Sequence, residues 1–244
     1  MSGEPWFLVD QLPTAGTFLL DGPEGRHAAT VRRLRPGESV VLTDGGGGRA
    51  DGTVIAADRS ELTLEVGTTT RVPGPALRIT LVQALPKGER SDLAVDLATE
   101  AGVDVLVPWQ AERCVARWSA DKAVRGVDKW RTVAREAAKQ SRRPWLPRVS
   151  DLATTADVVE LIGHSDGALI LHEAGAAPIT KATLPTHGNL VLVVGPEGGI
   201  APAELSALVS AGGQVVRLGA EVLRTSTAGA VALGALGVLT KRWS

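Results

Sequence analysis

Two loop segments carry the residue types best suited to binding a ligand. The first runs from Val193 to Pro202, with the sequence Val-Val-Gly-Pro-Glu-Gly-Gly-Ile-Ala-Pro, and predicts a buried strand, a glycine-rich turn and a helix start. Glycines in such a turn let backbone amides approach a ligand closely, at the carboxyl edge of a sheet where ligands bind. The run has neither the Gly-Lys-Ser/Thr ending of a phosphate loop nor the Gly-x-Gly-x-x-Gly spacing. A tight turn without a ligand is the alternative interpretation.

The second segment runs from Leu218 to Ala228 and again predicts a strand end, a polar loop and a helix start. Thr225, Ser226 or Thr227 is suited to cap that helix, which is the simpler role for any one of them. Arg224 stands just before an apolar helix. A guanidinium held at a sheet edge suits a phosphate or a carboxylate, so we interpret Arg224 as functional.

The elements that hold these loops alternate between apolar runs and helical patterns. We predict helices from Ser91, as cap, to Ala101, over about 121–141 and over 202–211, and a last helix from Thr225 or Ser226. The predicted strands are 77–84, 103–107, 168–171, 190–194 and 215–218. This alternation is typical of an α/β fold with a mainly parallel sheet.

The first 70 residues have a different pattern, of short strands separated by turns. Strands are predicted at 39–43, 53–56 and 61–66, with a turn at the four glycines 45–48 and one helix from Gly25 to Arg35. Leu62, Leu64 and Val66 alternate and therefore share a buried face. A small β-barrel fits this pattern. We therefore predict two domains, residues 1–73 and 74–244, joined at Val72–Pro75.

Charge is distributed unevenly, although the formal net charge is only −1. Residues 113–148 contain 11 basic and 3 acidic side chains. Polyanion binding depends on such local positive potential, so this segment predicts a nucleic-acid contact, with a solvated helix face as the alternative.

Cysteine and histidine usage excludes several classes of site. Cys114 is the only cysteine, so no disulfide forms within the chain, and the four histidines show no metal-ligand spacing. The first ten residues show no secretory leader, and the apolar run 228–239 is too short to cross a bilayer. We expect a cytoplasmic protein without a metal.

In combination, these segments resemble the SPOUT methyltransferases, and most closely the RsmE family. The resemblance covers nearly the whole chain and includes Ala84 to Arg90, Leu97 to Val103, Glu112 to Val115, Trp130 to Ser141, and His27 with Val31-Arg32-Arg33. It implies an N-terminal PUA-like β-barrel and a C-terminal α/β domain with a deep trefoil knot. It also implies a homodimer with the final helix in its interface, and methylation of N3 of one uridine in 16S ribosomal RNA from S-adenosyl-L-methionine.

The site residues follow from these segments and from the resemblance. We predict Arg224 as the catalytic side chain, and RNA contacts at Arg33, Lys87, Arg90, Arg142 and Arg143. The implied S-adenosyl-L-methionine site consists of Leu171, His172, Glu173, Gly195, Glu197, Gly198, Gly199, Ile200, Leu218, Gly219, Val222, Leu223, Thr225, Ser226 and Ala228.

Two positions depart from the family pattern. Ser226 stands where the family usually has an acidic residue, and Trp6 lies near a missing N-terminal basic residue. The proton acceptor therefore stays open among Glu197, Glu173 and water. Ribose 2′-O methylation and a non-catalytic RNA-binding role in ribosome assembly are the alternative functions.

Overall fold

The computed structural model of the protein describes residues 3–173 and 177–243. Its contacts divide the chain into two compact units, Met1–Gly74 with Ala138–Leu146, and Pro75–Ala137 with Pro147–Ser244. The predicted boundary between residues 73 and 74 assigned 138–146 to the second domain, whereas these residues pack within the first unit. Backbone hydrogen bonds explain this packing, because the Gly47 amide donates to Pro144 and the Leu146 amide donates to Gly45.

The first unit contains one five-stranded sheet. Its strands, in chain order, are β1 (Trp6–Leu8), β2 (Gly16–Leu20), β3 (Ser39–Thr43), β4 (Gly48–Ala57) and β5 (Leu62–Arg71). The order in the sheet is β1-β3-β4-β5-β2, with β1 parallel to β3 and the other pairs antiparallel. The predicted alternation in β5 is confirmed, since Leu62, Leu64 and Val66 are all buried in the core of this unit.

The predicted helix from Gly25 to Arg35 is wrong at both ends. The observed helix α1 spans Gly22–Arg26 and continues as a π-helical turn over His27–Val31. It begins early because Pro23 stands at its first turn, where proline is favoured. It ends early because the backbone of Arg33 has a φ of 54°, in the left-handed region that stops a helix.

In the described part of the chain, the second unit is built on one sheet of seven strands, and all its strand pairs are parallel. The strands are β6 (Leu77–Ala84), β7 (Val105–Trp109), β8 (Arg148–Val149), β9 (Gly167–Leu171), β10 (Ala177–Pro178), β11 (Gly188–Val194) and β12 (Gln214–Arg217), in the order β10-β12-β9-β11-β6-β7-β8. The helices are α2 (Arg90–Glu100), α3 (Ala120–Gln140), α4 (Thr155–Gly163), α5 (Pro202–Ser210) and α6 (Thr225–Leu239). The predicted α/β fold with a mainly parallel sheet is confirmed.

Two predictions for the region around α2 are wrong. Ser91 does not cap the helix, which begins at Arg90; its hydroxyl accepts a hydrogen bond from the Trp130 indole at 2.8 Å. The predicted strand 103–107 begins only at Val105, because the Val103 amide donates to the Ala98 carbonyl and closes the end of α2. Periodicity alone does not reveal such a closing bond.

Helix α3 is amphipathic, whereas helix α6 is apolar on both its buried and its exposed side. The α3 pattern is confirmed, since Val127, Trp130 and Ala134 are buried at helical spacing. Helix α6 packs against α2, β6 and β11 through one small-residue face, while Val231 and Val238 on its other side are exposed. None of the helices in the described ranges combines the length and apolar character needed to cross a membrane.

Helix α4 and strands β1, β2, β8 and β10 were not predicted. The start of α4 nevertheless has a sequence signal, a Thr154-x-x-Asp157 capping box. The Thr154 hydroxyl accepts from the Asp157 amide at 3.3 Å, and the Asp157 carboxylate accepts from the Thr154 amide at 2.7 Å. These reciprocal bonds satisfy backbone donors that have no partner within the helix.

Removing this cap should lower the stability of the second unit. We expect Thr154→Ala to reduce the free energy of unfolding by about 1 kcal/mol, and Thr154→Ser to retain most of it because serine keeps the hydroxyl acceptor. Urea unfolding followed by far-ultraviolet circular dichroism measures the difference. Equal midpoints for the alanine and serine variants would contradict this role.

The carboxylate of the same cap adds a pH dependence. Hydrogen bonds from the Thr154 amide and hydroxyl lower the pKa of Asp157 below its ordinary value of 3.8. A lowered pKa in the folded state stabilises the protein above 3.8, and this contribution disappears as the pH falls through the lowered value. The stability difference between wild type and Asp157→Asn should therefore be constant at neutral and mildly acidic pH and shrink only below 3.8.

Candidate active site

Three neighbouring parallel strands position the residues of the candidate site. In the sheet, Leu171 at the end of β9 pairs with Val194 at the end of β11 and with Val216 in β12. The carboxyl ends of these strands therefore lie in one row, and the chain segments that follow them meet at the same edge of the sheet. Together these segments line a cavity of about 770 Å³, a size typical of pockets for small molecules.

The glycine-rich turn forms one wall of the cavity. A hydrogen bond of 2.9 Å from the Gly199 amide to the Pro196 carbonyl closes the turn. Gly199 has a φ of 72°, a conformation that other residues adopt at a cost. A Cβ at Gly195 would lie 2.6 Å from Cγ1 of Ile200, so this position tolerates no side chain without movement of the isoleucine.

Gly198 lines the cavity, but a side chain at this position would contact Arg113. A Cβ at Gly198 would lie 3.2 Å from both Cβ and the carbonyl oxygen of Arg113. The Arg113 guanidinium also lies 3.4 Å from the Gly198 carbonyl oxygen. The turn thus packs closely against the segment that follows β7, and a bulky residue at 198 would displace Arg113.

The loop after β12 forms a second wall and ends at α6. Arg224 is the N-cap residue of α6, and its carbonyl accepts from the Thr227 and Ala228 amides at 2.9 Å each. The predicted hydroxyl cap is therefore wrong, since the helix start shows no side-chain cap bond. Gln83, buried in β6, donates to the Thr225 carbonyl at 3.3 Å and holds the first turn of α6.

The Arg224 side chain is exposed and lines the cavity. Within residues 3–173 and 177–243, its guanidinium forms no hydrogen bond or ion pair. Its backbone, in contrast, is fixed by the helix start. This combination leaves a positioned cation available to an anionic ligand.

Most of the predicted site residues meet at this cavity. The predicted residues that line it are Leu171, His172, Glu173, Gly195, Glu197, Gly198, Gly199, Ile200, Leu218, Gly219, Val222, Leu223, Arg224, Thr225, Ala228 and, from the RNA set, Arg90. Ser226, buried in the first turn of α6, is not among the described lining residues, although its buried neighbours Thr225 and Ala228 are. Lys87 lies next to the site, and its amide donates to the Glu197 carboxylate at 3.3 Å.

The remaining residues that are predicted to contact RNA lie in the first unit. Arg33 follows the π-helical turn, and Arg142 and Arg143 follow α3; Arg33 and Arg142 are exposed, and Arg143 is partly buried. Their RNA contacts remain predictions.

Sequence analysis missed three charged residues that line the cavity: Arg113, Arg217 and Glu221. Arg217 comes directly before the predicted loop 218–228, and Glu221 lies within it. Their positions in the sequence could therefore have identified them. Arg113 reaches the site from a different strand, and its signals in the sequence were its place in the basic segment 113–148 and in the family motif Glu112 to Val115. Glu221 adds a third carboxylate to Glu173 and Glu197 at the cavity.

Cys114, next to Arg113, has no chemical role that the structure supports. Its burial raises the pKa of the thiol above the ordinary value, so the thiol is neutral at pH 7 and a poor nucleophile. In the described part of the chain, no group of three His, Cys, Asp or Glu side chains is arranged to hold a metal ion.

The cavity fits the cofactor that the sequence predicts. Leu171, Leu218 and Leu223 offer apolar surface for a flat ring, and the glycine turn offers backbone groups without side chains in the way. Glu173 and Glu221 offer carboxylates for hydroxyl or ammonium groups. An elongated molecule with an aromatic ring, a sugar and an amino-acid end matches these three kinds of surface.

Comparison with known families supports the same interpretation. A family model described as an RNA methyltransferase domain matches residues 73–237, and a model described as an RNA methyltransferase PUA domain matches residues 20–67. The first match contains every residue that lines the cavity.

Individual relatives cover nearly the whole chain. Ribosomal RNA small subunit methyltransferase E of Mycobacterium bovis is 51% identical over 242 residues, covering 97% of this chain and 92% of the relative. The protein of the same name from Synechocystis sp. is 34% identical, covering 91% of this chain and 73% of the relative.

A solved structure is similar over the same length. Ribosomal RNA small subunit methyltransferase E from Neisseria gonorrhoeae, bound to S-adenosyl methionine, has a TM-score of 0.85 and 28% identity, covering 97% of this chain and 98% of that one. A probable rRNA-methyltransferase from Porphyromonas gingivalis has a TM-score of 0.78 and 26% identity, covering 98% and 100%.

The left-handed glycine of the turn should be required for cofactor binding. Alanine at position 199 disfavours the positive φ of this turn, so the variant should adopt another turn conformation. Cofactor binding must then restore the positive φ at a cost of about 1–2 kcal/mol. We expect roughly tenfold weaker binding of S-adenosylmethionine in isothermal titration.

Gly212→Ala is the matched control. Gly212 also has a left-handed backbone, with a φ of 110°, and a Cβ there also meets nothing within 4 Å, but it lies between α5 and β12 and does not line the cavity. It should lower stability while leaving cofactor affinity unchanged. Equal affinities in the two variants would remove the turn from the binding site.

Proposed function

Since this chain belongs to the RsmE family of ribosomal RNA methyltransferases, we propose that it methylates N3 of one uridine in the 16S ribosomal RNA of the small subunit. The protein is an S-adenosylmethionine-dependent RNA methyltransferase. The observation that supports the site assignment is that the glycine turn, the loop after β12 and Arg224 line one cavity. The methyl group that the bound sulfonium supplies is already activated, so the protein has to provide position and electrostatic field.

We infer three regions of cofactor contact in the cavity. Leu171, Leu218 and Leu223 would enclose the adenine, and the turn 195–200 would face the ribose and sulfur. The carboxylates of Glu173 and Glu221 would meet polar groups of the cofactor. The proposed contacts need no metal ion.

The chemistry of the target explains why Arg224 is needed. N3 of uridine carries a proton at neutral pH and lies on the edge of the base used for pairing. The base must therefore be unpaired or extruded from its stack, and must lose this proton as the methyl group arrives. The exposed Arg224 guanidinium at the cavity would stabilise the developing negative charge on the uridine or an adjacent phosphate.

The proton acceptor is proposed to be a cavity carboxylate. Ser226, which replaces the usual acidic residue, is buried, so the acceptor in this chain would come from elsewhere. Glu173, Glu197 and Glu221 are exposed at the cavity. Glu197 accepts a hydrogen bond from the Lys87 amide at one oxygen only, so Glu173, Glu197 and Glu221 are all candidates, together with water.

Only some of the cations in the basic segment 113–148 would contact RNA. Lys129 pairs with Asp92 at 2.6 Å, and Arg131 pairs with both Asp128 and Asp151 at 3.0 and 3.2 Å. Lys139 forms a buried pair with Glu24 at 2.9 Å, in the first unit. The exposed cations proposed to meet phosphates are Arg113, Lys122, Arg125 and Arg142.

The finer architecture of the family is also proposed for this chain. We infer that the five-stranded sheet of the first unit closes as a PUA-like barrel. We also infer a trefoil knot in the second unit, because the chain runs from β12 back across the ends of β9 and β11 to pack α6 against β6, β11 and α2.

A homodimer in the cytoplasm completes the proposal. Val231, Val238 and Trp243 on and after α6 are exposed, with exposed fractions of 47%, 70% and 58%. Such apolar surface on a helix is typical of an interface between subunits. We therefore place α6 in the dimer interface.

Arg224→Ala should abolish most of the activity without unfolding the protein. Loss of one preorganised charge donor lowers methyl transfer by about two to three orders of magnitude. Arg224→Lys should recover little, because lysine keeps the charge but not the bidentate guanidinium. The measurement is single-turnover methyl transfer to small ribosomal subunits, followed by mass mapping of the modified nucleotide.

Thermal melts, cofactor titration and sedimentation should be unchanged in the alanine variant. Full activity of that variant would exclude a catalytic role for Arg224, and failure to fold would make its role structural. Mapping also separates the chemical alternatives, since a methyl group on the ribose 2′ oxygen would contradict N3 specificity.

RNA affinity should depend on Arg142 and Arg143. Reversing both charges to glutamate should weaken RNA binding and flatten its dependence on salt by roughly one unit in slope per lost phosphate contact. Arg59→Glu, at an exposed arginine in the turn between β4 and β5, is the control for a general change of charge. Filter binding at several salt concentrations measures both quantities. An unchanged slope in the double variant would assign these arginines to a solvated surface.

A further inference from the structure

The chemistry proposed above does not use one buried carboxylate close to the cavity. Glu204 lies in the first turn of α5, directly after the glycine turn, and only 7% of the residue is exposed. A carboxylate in such a place is costly unless hydrogen-bond donors satisfy it. Its partners therefore indicate what it does.

Three donors from three chain segments meet at Glu204. Its Oε1 accepts from the Glu112 amide at 2.9 Å and from the Thr155 hydroxyl at 2.6 Å. Its Oε2 accepts from the Ala201 amide at 3.3 Å. The Thr155 hydroxyl in turn accepts from the Trp109 indole at 3.3 Å. Glu204 thus joins the segment after β7, the start of α4 and the end of the glycine turn.

The link to Glu112 bears directly on the site, because the next residue is Arg113. The Arg113 backbone packs against Gly198 of the turn, and its guanidinium lies 3.4 Å from the Gly198 carbonyl oxygen. The Arg113 side chain is exposed and lines the cavity. A displacement of the Glu112 amide would therefore move a cavity-lining cation relative to the cofactor turn.

We propose that Glu204 is a positioning residue that holds Arg113 against the glycine turn, and that Arg113 contacts the substrate RNA. This inference rests on the proposed methyl transfer to RNA. Glutamate suits the position because all three partners are donors and both carboxylate oxygens accept. Glutamine would direct its NH₂ group toward at least one donor and would leave that contact unmade.

The test is a double-mutant cycle between Glu204→Gln and Arg113→Ala. If Glu204 acts through Arg113, Glu204→Gln should lower kcat/KM for RNA by about tenfold in the wild-type background, as expected for a misplaced substrate-binding group. In the Arg113→Ala background the same substitution should change kcat/KM by less than about twofold. Independent effects that multiply would overturn the proposal.

Substitutions at Thr155 test the proposal even if a variant at Glu204 fails to fold. Thr155→Val removes one donor to Glu204 at nearly constant size, and Thr155→Ser restores the hydroxyl. Ile162→Val shortens a buried side chain of the same helix outside the network and controls for lost stability. Thr155→Val should lower kcat/KM, Thr155→Ser should recover it, and Ile162→Val should leave it unchanged. An equal loss in Thr155→Val and Ile162→Val would make the role merely structural.

Hydrogen exchange gives a readout that does not need activity. The Glu112 and Ala201 amides should exchange about tenfold faster in Glu204→Leu, which removes both acceptor oxygens, than in wild type, while amides in the core of the sheet keep their rates. Unchanged exchange at Glu112 would overturn the positioning role even if methyl transfer occurs. Absence of methyl transfer by the wild-type protein, with faster exchange at Glu112 in the variant, would instead contradict the proposed function and the RNA contact of Arg113.

Discussion

The parallel pairing of β9, β11 and β12 is the constraint on which the candidate site depends. Because Leu171, Val194 and Val216 share one row of the sheet, every segment that follows these strands begins at the same edge. Parallel strands require crossover connections, so the loops come from distant parts of the chain and still meet. The sheet core of Val, Leu and Ile side chains, which is almost completely buried, makes this register rigid. A slip of one residue would reverse the direction of every side chain in a strand.

Charge acts in two distinct ways around this edge. The buried Glu204 carboxylate is surrounded by donors and organises the backbone, whereas Arg113 and Arg224 are exposed and remain available to an anion. The same distinction applies to the basic segment, where Lys129 and Arg131 are engaged in ion pairs while Lys122 and Arg125 are exposed. A net charge of −1 is thus compatible with an RNA substrate, because RNA responds to the local field of the exposed cations.

Most of the predicted site residues belong to two continuous motifs and line one cavity together. Each motif contains a strand end, a loop and a helix start, so the residues of one motif stay close together in the structure. Arg113 was missed as a cavity residue because it reaches the site through packing against Gly198, across 85 positions of sequence. Ser226 differs from its neighbours Thr225 and Ala228, which line the cavity, so its contact with the cofactor stays a prediction.

The amino-acid sequence predicted the α/β class, the glycine turn, the helix that follows it and the place of Arg224 just before the last helix, because local periodicity and turn chemistry decide these features. It did not determine where helix α1 ends, that residues 138–146 pack with the first unit, or that Glu204 connects three segments. The end of α1 depends on the backbone conformation at Arg33, and the other two features arise from hydrogen bonds between residues far apart in sequence. Such bonds form only when the sheet has brought their partners together, so the tertiary structure alone decides them.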